Sequence, residues 1–186
     1  LGAKPGNPDK TVVNMAGDGS FAMNLNELIS AAAHGINIIE IVMNNNVLGM
    51  VRQWQRLFYS KHFSETTLDA RHIDYVKLGK AFGVKTFVIE KTEDITPVLT
   101  EALSISKSAP VMIEVRIDRD INVLPMIPAG KPVVNPITSI DVNTSILHYM
   151  KFKQDVFTHI YFAFSDFRPE KIKETRCFKS PYAFTA

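Results

Sequence analysis

The sequence predicts an α/β fold, an open parallel sheet with helices on both faces. Three observations carry that expectation. Short β-branched or apolar runs recur along the first two thirds of the chain. Segments with apolar residues at helical spacing separate them, and Gly, Asn or Pro marks the junctions. Strands that alternate with helices join into a parallel sheet through right-handed crossovers.

Taken in order, Thr11–Ala16 (TVVNMA) reads as the first strand, stopped by Gly17-Asp18-Gly19. Asn24 with Glu27 three places on predicts a capping box opening a helix over Leu25–His34, with Gly35 as its stop. Ile38–Met43 is nearly continuous in apolar character, as a strand covered on both faces should be. Glu40 interrupts it and needs solvent or a partner. Tyr75, Leu78, Gly79 and Phe82 recur at helical spacing before Gly83, and Val84–Ile89 follows as a third strand. Val98, Leu99, Ala102 and Leu103 mark a further helix with Thr96-Pro97 near its start. Val111–Val115 is the fourth strand.

Composition bounds the rest. The 186 residues are 46% hydrophobic and 22% charged, enough for one ordinary core. A net charge of +2 gives no general electrostatic reason to expect nucleic acid or an anionic membrane as partner, and no apolar stretch approaches a spanning helix. Cys177 is the single cysteine, so an internal disulfide is excluded, and the sequence shows no basic or histidine partner that would make it a nucleophile. His34, His62 and His72 lack metal-ligand spacing, and Lys77, Lys80, Lys85 and Lys91 read as a solvated face. With no signal-peptide pattern at Leu1–Gly6, a cytoplasmic protein is expected.

The chain divides into residues 1–131 and a tail, 132–186. All nine glycines lie at or before Gly130, while ten of the eighteen aromatics lie between Tyr149 and Phe184. Seven basic and five acidic residues follow Lys131, leaving fourteen of each sign in residues 1–131. Pro125, Pro128, Pro132 and Pro136 crowd the junction as an extended arm would. The tail reads as a poorly ordered extension or, through Phe157, Tyr161, Phe162 and Phe164, as a docking segment.

Ligands of open parallel sheets bind beyond the carboxyl ends of the strands. The first strand ends at Asp18 and the second at Asn44-Asn45-Asn46, and one crossover helix joins them. Both loops therefore emerge at one rim of the sheet. Asp18, an amide oxygen of Asn45 and a nearby backbone carbonyl would suit Mg²⁺, which prefers oxygen ligands and leaves positions for phosphate and water. Gly19 and Ser20, ahead of a helix, can bring N–H groups and a hydroxyl to a diphosphate. Singly, each motif is an ordinary turn; together, at linked strand ends, they describe a diphosphate anchor.

These residues resemble the thiamine diphosphate motif, Gly17-Asp18-Gly19-Ser20 followed by Asn44-Asn45. The wider segments 17–28, 44–55 (NNNVLGMVRQWQ), 57–59 and 123–128 (VLPMIP) are similar to the C-terminal cofactor domain of acetolactate synthase (acetohydroxyacid synthase) catalytic subunits. That resemblance implies the thiamine diphosphate-binding fold over 1–131. It implies Mg²⁺ held by Asp18, Asn45 and the Val47 carbonyl, and cofactor contacts from Gly17, Gly19, Ser20, Gly49 and Met50. Met50, Val51 and Trp54 would line the substrate pocket, Trp54 favouring 2-ketobutyrate, and Leu124–Lys131 would fold over it.

The implied reaction condenses pyruvate with a second 2-keto acid, with loss of CO₂, in branched-chain amino acid biosynthesis. The implied partners are the pyrimidine-binding domain of another subunit, within a homo-oligomer, and a regulatory small subunit. FAD belongs to a middle domain that has no counterpart here. No segment matches the family's activating glutamate, so no catalytic residue is assigned in this chain, and the chain is expected to be a fragment inactive alone. Two other readings stand beside this one: another thiamine diphosphate-dependent decarboxylase or carboligase, and a non-catalytic relic or interaction fragment.

Overall fold

The computed structural model describes residues 1–139 apart from residue 72. His72, His148, His159, Cys177 and the aromatic run Phe157–Phe164 lie outside the described residues, as does most of the 132–186 tail. The elements run α1 (Ala3–Gly6), β1 (Val12–Gly17), α2 (Asp18–Phe21), α3 (Glu27–Ala33), β2 (Ile38–Asn44) and α4 (Gly49–Phe58). A 3₁₀ turn at Asp69–Arg71 precedes α5 (Tyr75–Ala81), β3 (Lys85–Ile89), α6 (Thr92–Ile105) and β4 (Val111–Arg116).

All four strands are parallel, in the spatial order β1-β2-β4-β3. The interior strands β2 and β4 are the apolar ones. Ile39, Ile41, Val42, Val111, Met112, Ile113 and Val115 are fully buried. The period of two sends Ile39, Ile41, Ile113 and Val115 into one core with Ile95, Leu99 and Ala102 of α6. Val42 and Met112 face the opposite way, against Phe21, Leu28 and Tyr75 of α2, α3 and α5. Helices thus cover both faces, as predicted. Lys77, Lys80, Lys85 and Lys91 are exposed.

Two helix boundaries differ from expectation. The helix expected from Leu25 begins at Glu27, and its cap position makes no side-chain hydrogen bond. Asn24 instead accepts the Glu27 N–H through its backbone carbonyl, at 3.0 Å, so the expected capping box is a turn. Helix α6 begins at Thr92, well before Pro97, because the Asp94 carboxylate accepts the N–H groups of Glu90 and Lys91 at 3.2 Å each. Helix stops are as expected: Gly35 and Gly83 take positive φ (60° and 72°), and Ile36 and Val84 then bond back to Ala31 and Gly79. Beyond Lys131 the chain turns back, and Ile137 pairs with Met126.

Candidate functional site

Because β1 and β2 are neighbours in parallel register, Gly17 stands opposite Met43, and the loops after both strands share one rim. Asp18, the first residue of α2, turns inward and is 5% exposed. One carboxylate oxygen accepts the Gly19 N–H at 2.8 Å, and the other accepts the Asn46 N–H at 2.7 Å. Burial pushes the carboxyl above its ordinary value, while the backbone N–H groups of Gly19, Asn46 and Asn45 pull it down. Among the described residues no basic side chain pairs with it.

The three asparagines divide their labour. Asn44 is buried and its side-chain amide donates to Glu114 at 2.7 Å; its side-chain oxygen accepts the Asn46 N–H at 3.2 Å. The Asn45 oxygen accepts the Val47 N–H at 3.1 Å. Asn46 takes φ of 55°, a left-handed conformation that asparagine tolerates. These overlapping Asx turns fold the strand end back over Asp18. Val47 is 2% exposed and bridges to Thr67, with Leu48 and Asn46 making the ladder bonds; the Val47 carbonyl itself accepts no backbone hydrogen bond among the described residues.

A buried carboxylate without a cationic partner, beside an amide oxygen and an unpaired carbonyl, is a donor set that fits a hard divalent cation. Among the described residues no group of three or more His, Cys, Asp or Glu is gathered in one place. One expected detail differs. Gly19 sits inside α2, and its N–H is turned to Asp18 rather than left free for phosphate. Its missing side chain serves packing instead, since a Cβ there would meet Leu48 Cδ2 at 3.0 Å. Ser20 stays exposed. Gly49 is similarly tight, with the Asn45 amide nitrogen 3.1 Å from the place of a Cβ.

From Gly49 the chain enters α4, whose apolar side chains stand outward. Met50, Val51 and Trp54 line one cavity with Gln55, Tyr59 and His62. Met50 and Val51 are about half exposed, and the Trp54 ring packs on Phe58 with centroids 5.0 Å apart. The structure therefore brings Met50, Val51 and Trp54 together on one wall. Gly17 and Ser20 line a different cavity, along β1, with Asn14 and Glu40. There the Asn14 amide donates to both Glu40 oxygens, at 3.0 and 2.9 Å, which supplies the partner that Glu40 needs.

Sequence reasoning missed two polar groups. Glu114 is buried between Asn44 and Arg116, and Arg116 also pairs with Glu90. On the other side of α4, Arg52 and Arg56 both reach Asp120, and Gln53 reaches Val123. These pairs span up to 70 positions, beyond the reach of any local pattern; an unexplained Glu inside the apolar β4 run was the one available signal.

Comparison with known proteins follows the same lines. The profile of the family described as "Thiamine pyrophosphate enzyme, C-terminal TPP binding domain" matches residues 1–115. "Acetolactate synthase" of Mycobacterium avium is 42% identical over 133 residues, 70% of this chain and 21% of that protein. "Acetolactate synthase catalytic subunit, mitochondrial" of Saccharomyces cerevisiae is 38% identical over 130 residues, 70% of this chain and 18% of that protein. The chain thus spans about a fifth of the length of these curated relatives. Among solved structures, the Rhodococcus jostii RHA1 thiamine diphosphate-dependent 4-hydroxybenzoylformate decarboxylase superposes with a TM-score of 0.57 at 30% identity, covering 63% of this chain and 22% of that one.

Proposed function

We infer, for a chain that belongs to the C-terminal TPP-binding domain family of thiamine pyrophosphate enzymes, that residues 1–131 are the cofactor domain of an acetolactate synthase. In this reading the Asp18 carboxylate, the Asn45 side-chain oxygen and the Val47 carbonyl hold Mg²⁺. Gly17, Ser20, Gly49 and Met50 would border the diphosphate and the ring that follows it, while Gly19 serves the packing of the loop. Met50, Val51 and Trp54 face the 2-keto acids. The observation that supports the reading most is the buried, cation-less Asp18 carboxylate drawn against the Asn44–Asn46 loop.

Thiamine diphosphate, when bound, supplies the nucleophilic carbon and the electron sink that decarboxylation of a 2-keto acid requires. The residues of this chain anchor and orient. Asp18 and its loop would hold the metal that anchors the charged tail, and the α4 wall of Met50, Val51 and Trp54 would exclude water from the site. The proton-relaying glutamate and the pyrimidine site come from another subunit, which makes the working enzyme an oligomer. FAD and a regulatory small subunit belong to the same assembly in this reading. A cytoplasmic location belongs to the same reading; among the described residues no helix is long and apolar enough to cross a membrane.

The test is complementation. Chain supplied with Mg²⁺, thiamine diphosphate and pyruvate is expected to form no acetolactate alone, and to form it once a pyrimidine-binding domain is added. Turnover by the chain alone would overturn the division of labour. The likeness to an aryl 2-keto acid decarboxylase supports a second reading, decarboxylation without condensation. Aldehyde as the sole product of the complemented mixture would favour it.

A further inference from the structure

Helix α4 presents two unlike faces. Met50, Trp54 and Phe58, spaced four apart, form the outward apolar one. The other is polar and engaged. Gln53, the buried residue of α4, is 3% exposed. Its Nε2 donates to the Val123 carbonyl at 3.0 Å, and its Oε1 accepts the Val123 N–H at 2.7 Å. The carboxamide thus pairs with one residue's main chain as a neighbouring strand would, and Nε2 also lies 3.1 Å from Met126 Sδ. Flanking it, Arg52 Nε and Arg56 Nη2 converge on one Asp120 oxygen, at 2.9 and 2.5 Å. The Arg52 guanidinium also covers the Phe63 ring at 3.9 Å.

We propose that Gln53 is a positioning residue: by clamping the segment Asp120–Met126 to α4, it fixes the rotation of that helix and hence how Trp54 is presented to the cavity. A buried carboxamide is costly unless both its ends are paired, and here one residue's main chain pairs both. Rotating α4 far enough to swing Trp54 would break both bonds at once and strand two buried polar groups. Helix and arm therefore move as one body. The consequence for choice of the second 2-keto acid rests on the function proposed above; the clamp itself does not.

The test uses the full 186-residue chain without cofactor, so it stands or falls independently of the metal reading. Trp54 is the single tryptophan and reports its own exposure. In Gln53→Leu the Val123 amide is expected to exchange at least about tenfold faster, and acrylamide quenching of Trp54 to rise about twofold. Amides of β2 and β4 should stay protected, showing an intact fold. Gln53→Glu keeps the acceptor for the Val123 N–H and loses the donor, so both readouts should fall between parent and Gln53→Leu. If Gln53→Leu does not fold, Gln53→Glu decides alone, by a threefold or greater rise in Val123 exchange with greater Trp54 quenching. A Val123 amide that stays protected overturns the proposal, and so does one released while Trp54 quenching stays at the parent value.

Discussion

The carboxylate of Asp18 accepts the backbone N–H of Asn46 at 2.7 Å, across twenty-eight positions of sequence. This bond joins the ends of β1 and β2 and turns one buried negative charge toward the loop that carries Asn45 and Val47. Two backbone hydrogen bonds offset part of the cost of burying that carboxylate, and no basic side chain among the described residues offsets the rest. In the function proposed above, the same carboxylate would meet the cation.

If the Asn45 oxygen is a metal ligand, substitution should separate oxygen from shape. Asn45→Asp keeps an oxygen and should retain Mg²⁺-dependent thiamine diphosphate binding. Asn45→Leu should weaken it by about 10- to 100-fold. Isothermal titration of both variants checks this, and equal affinities would remove Asn45 from the site.

Glu40 offers a pH test. Burial drives its carboxyl up to about 7, against the opposing hydrogen bonds from Asn14. The folded chain therefore holds a proton that the unfolded chain, near 4.5, releases. That contribution to stability is full below pH 4.5 and is lost as the pH rises to about 7. Glu40→Gln cannot ionise, so it should be more stable than the parent by about 2 kcal/mol at pH 8. The two should converge toward pH 4.5, as urea unfolding at both pH values would show.

Gly79 packs α5 against β3 with no room for a methyl group. A Cβ there would lie 1.8 Å from Thr86 Oγ1 and 2.9 Å from the Val84 carbonyl oxygen. Gly79→Ala should cost about 3 kcal/mol or more. Gly19→Ala, which meets only flexible leucine ends, should stay within about 1 kcal/mol of the parent. Thermal unfolding of both variants distinguishes them.

Trp54→Ala, made in a complete enzyme, should shift product formation away from the larger second 2-keto acid, because the indole supplies much of the outward wall of α4. Product ratios from mixed pyruvate and 2-ketobutyrate measure it. An unchanged ratio would place the substrate elsewhere.

Much of this was legible before any coordinates. The β-branched runs at Val12 and Ile38, and the continuous apolar run from Val111, specify strands because side chains alternate and interior strands are buried on both faces. A single crossover from Asp18 to Asn45 forces their loops to one rim. What stayed hidden was long-range. Nothing local says that β4 inserts between β2 and β3, that Glu114 finds Asn44, or that Arg52 and Arg56 find Asp120. The start of α6 does have a local signal: Asp94, three places after Lys91, caps the helix, and Pro97 lies within it rather than at its start. Asn24 erred the other way, a cap-like spacing spent on a backbone turn.

Titration of thiamine diphosphate into the chain, in Mg²⁺ and again in EDTA, with Asp18→Ala beside the parent, tests the anchor most directly. Saturable binding that needs Mg²⁺ and disappears in Asp18→Ala is the predicted result. Binding that survives EDTA, or that Asp18→Ala leaves unchanged, would contradict it.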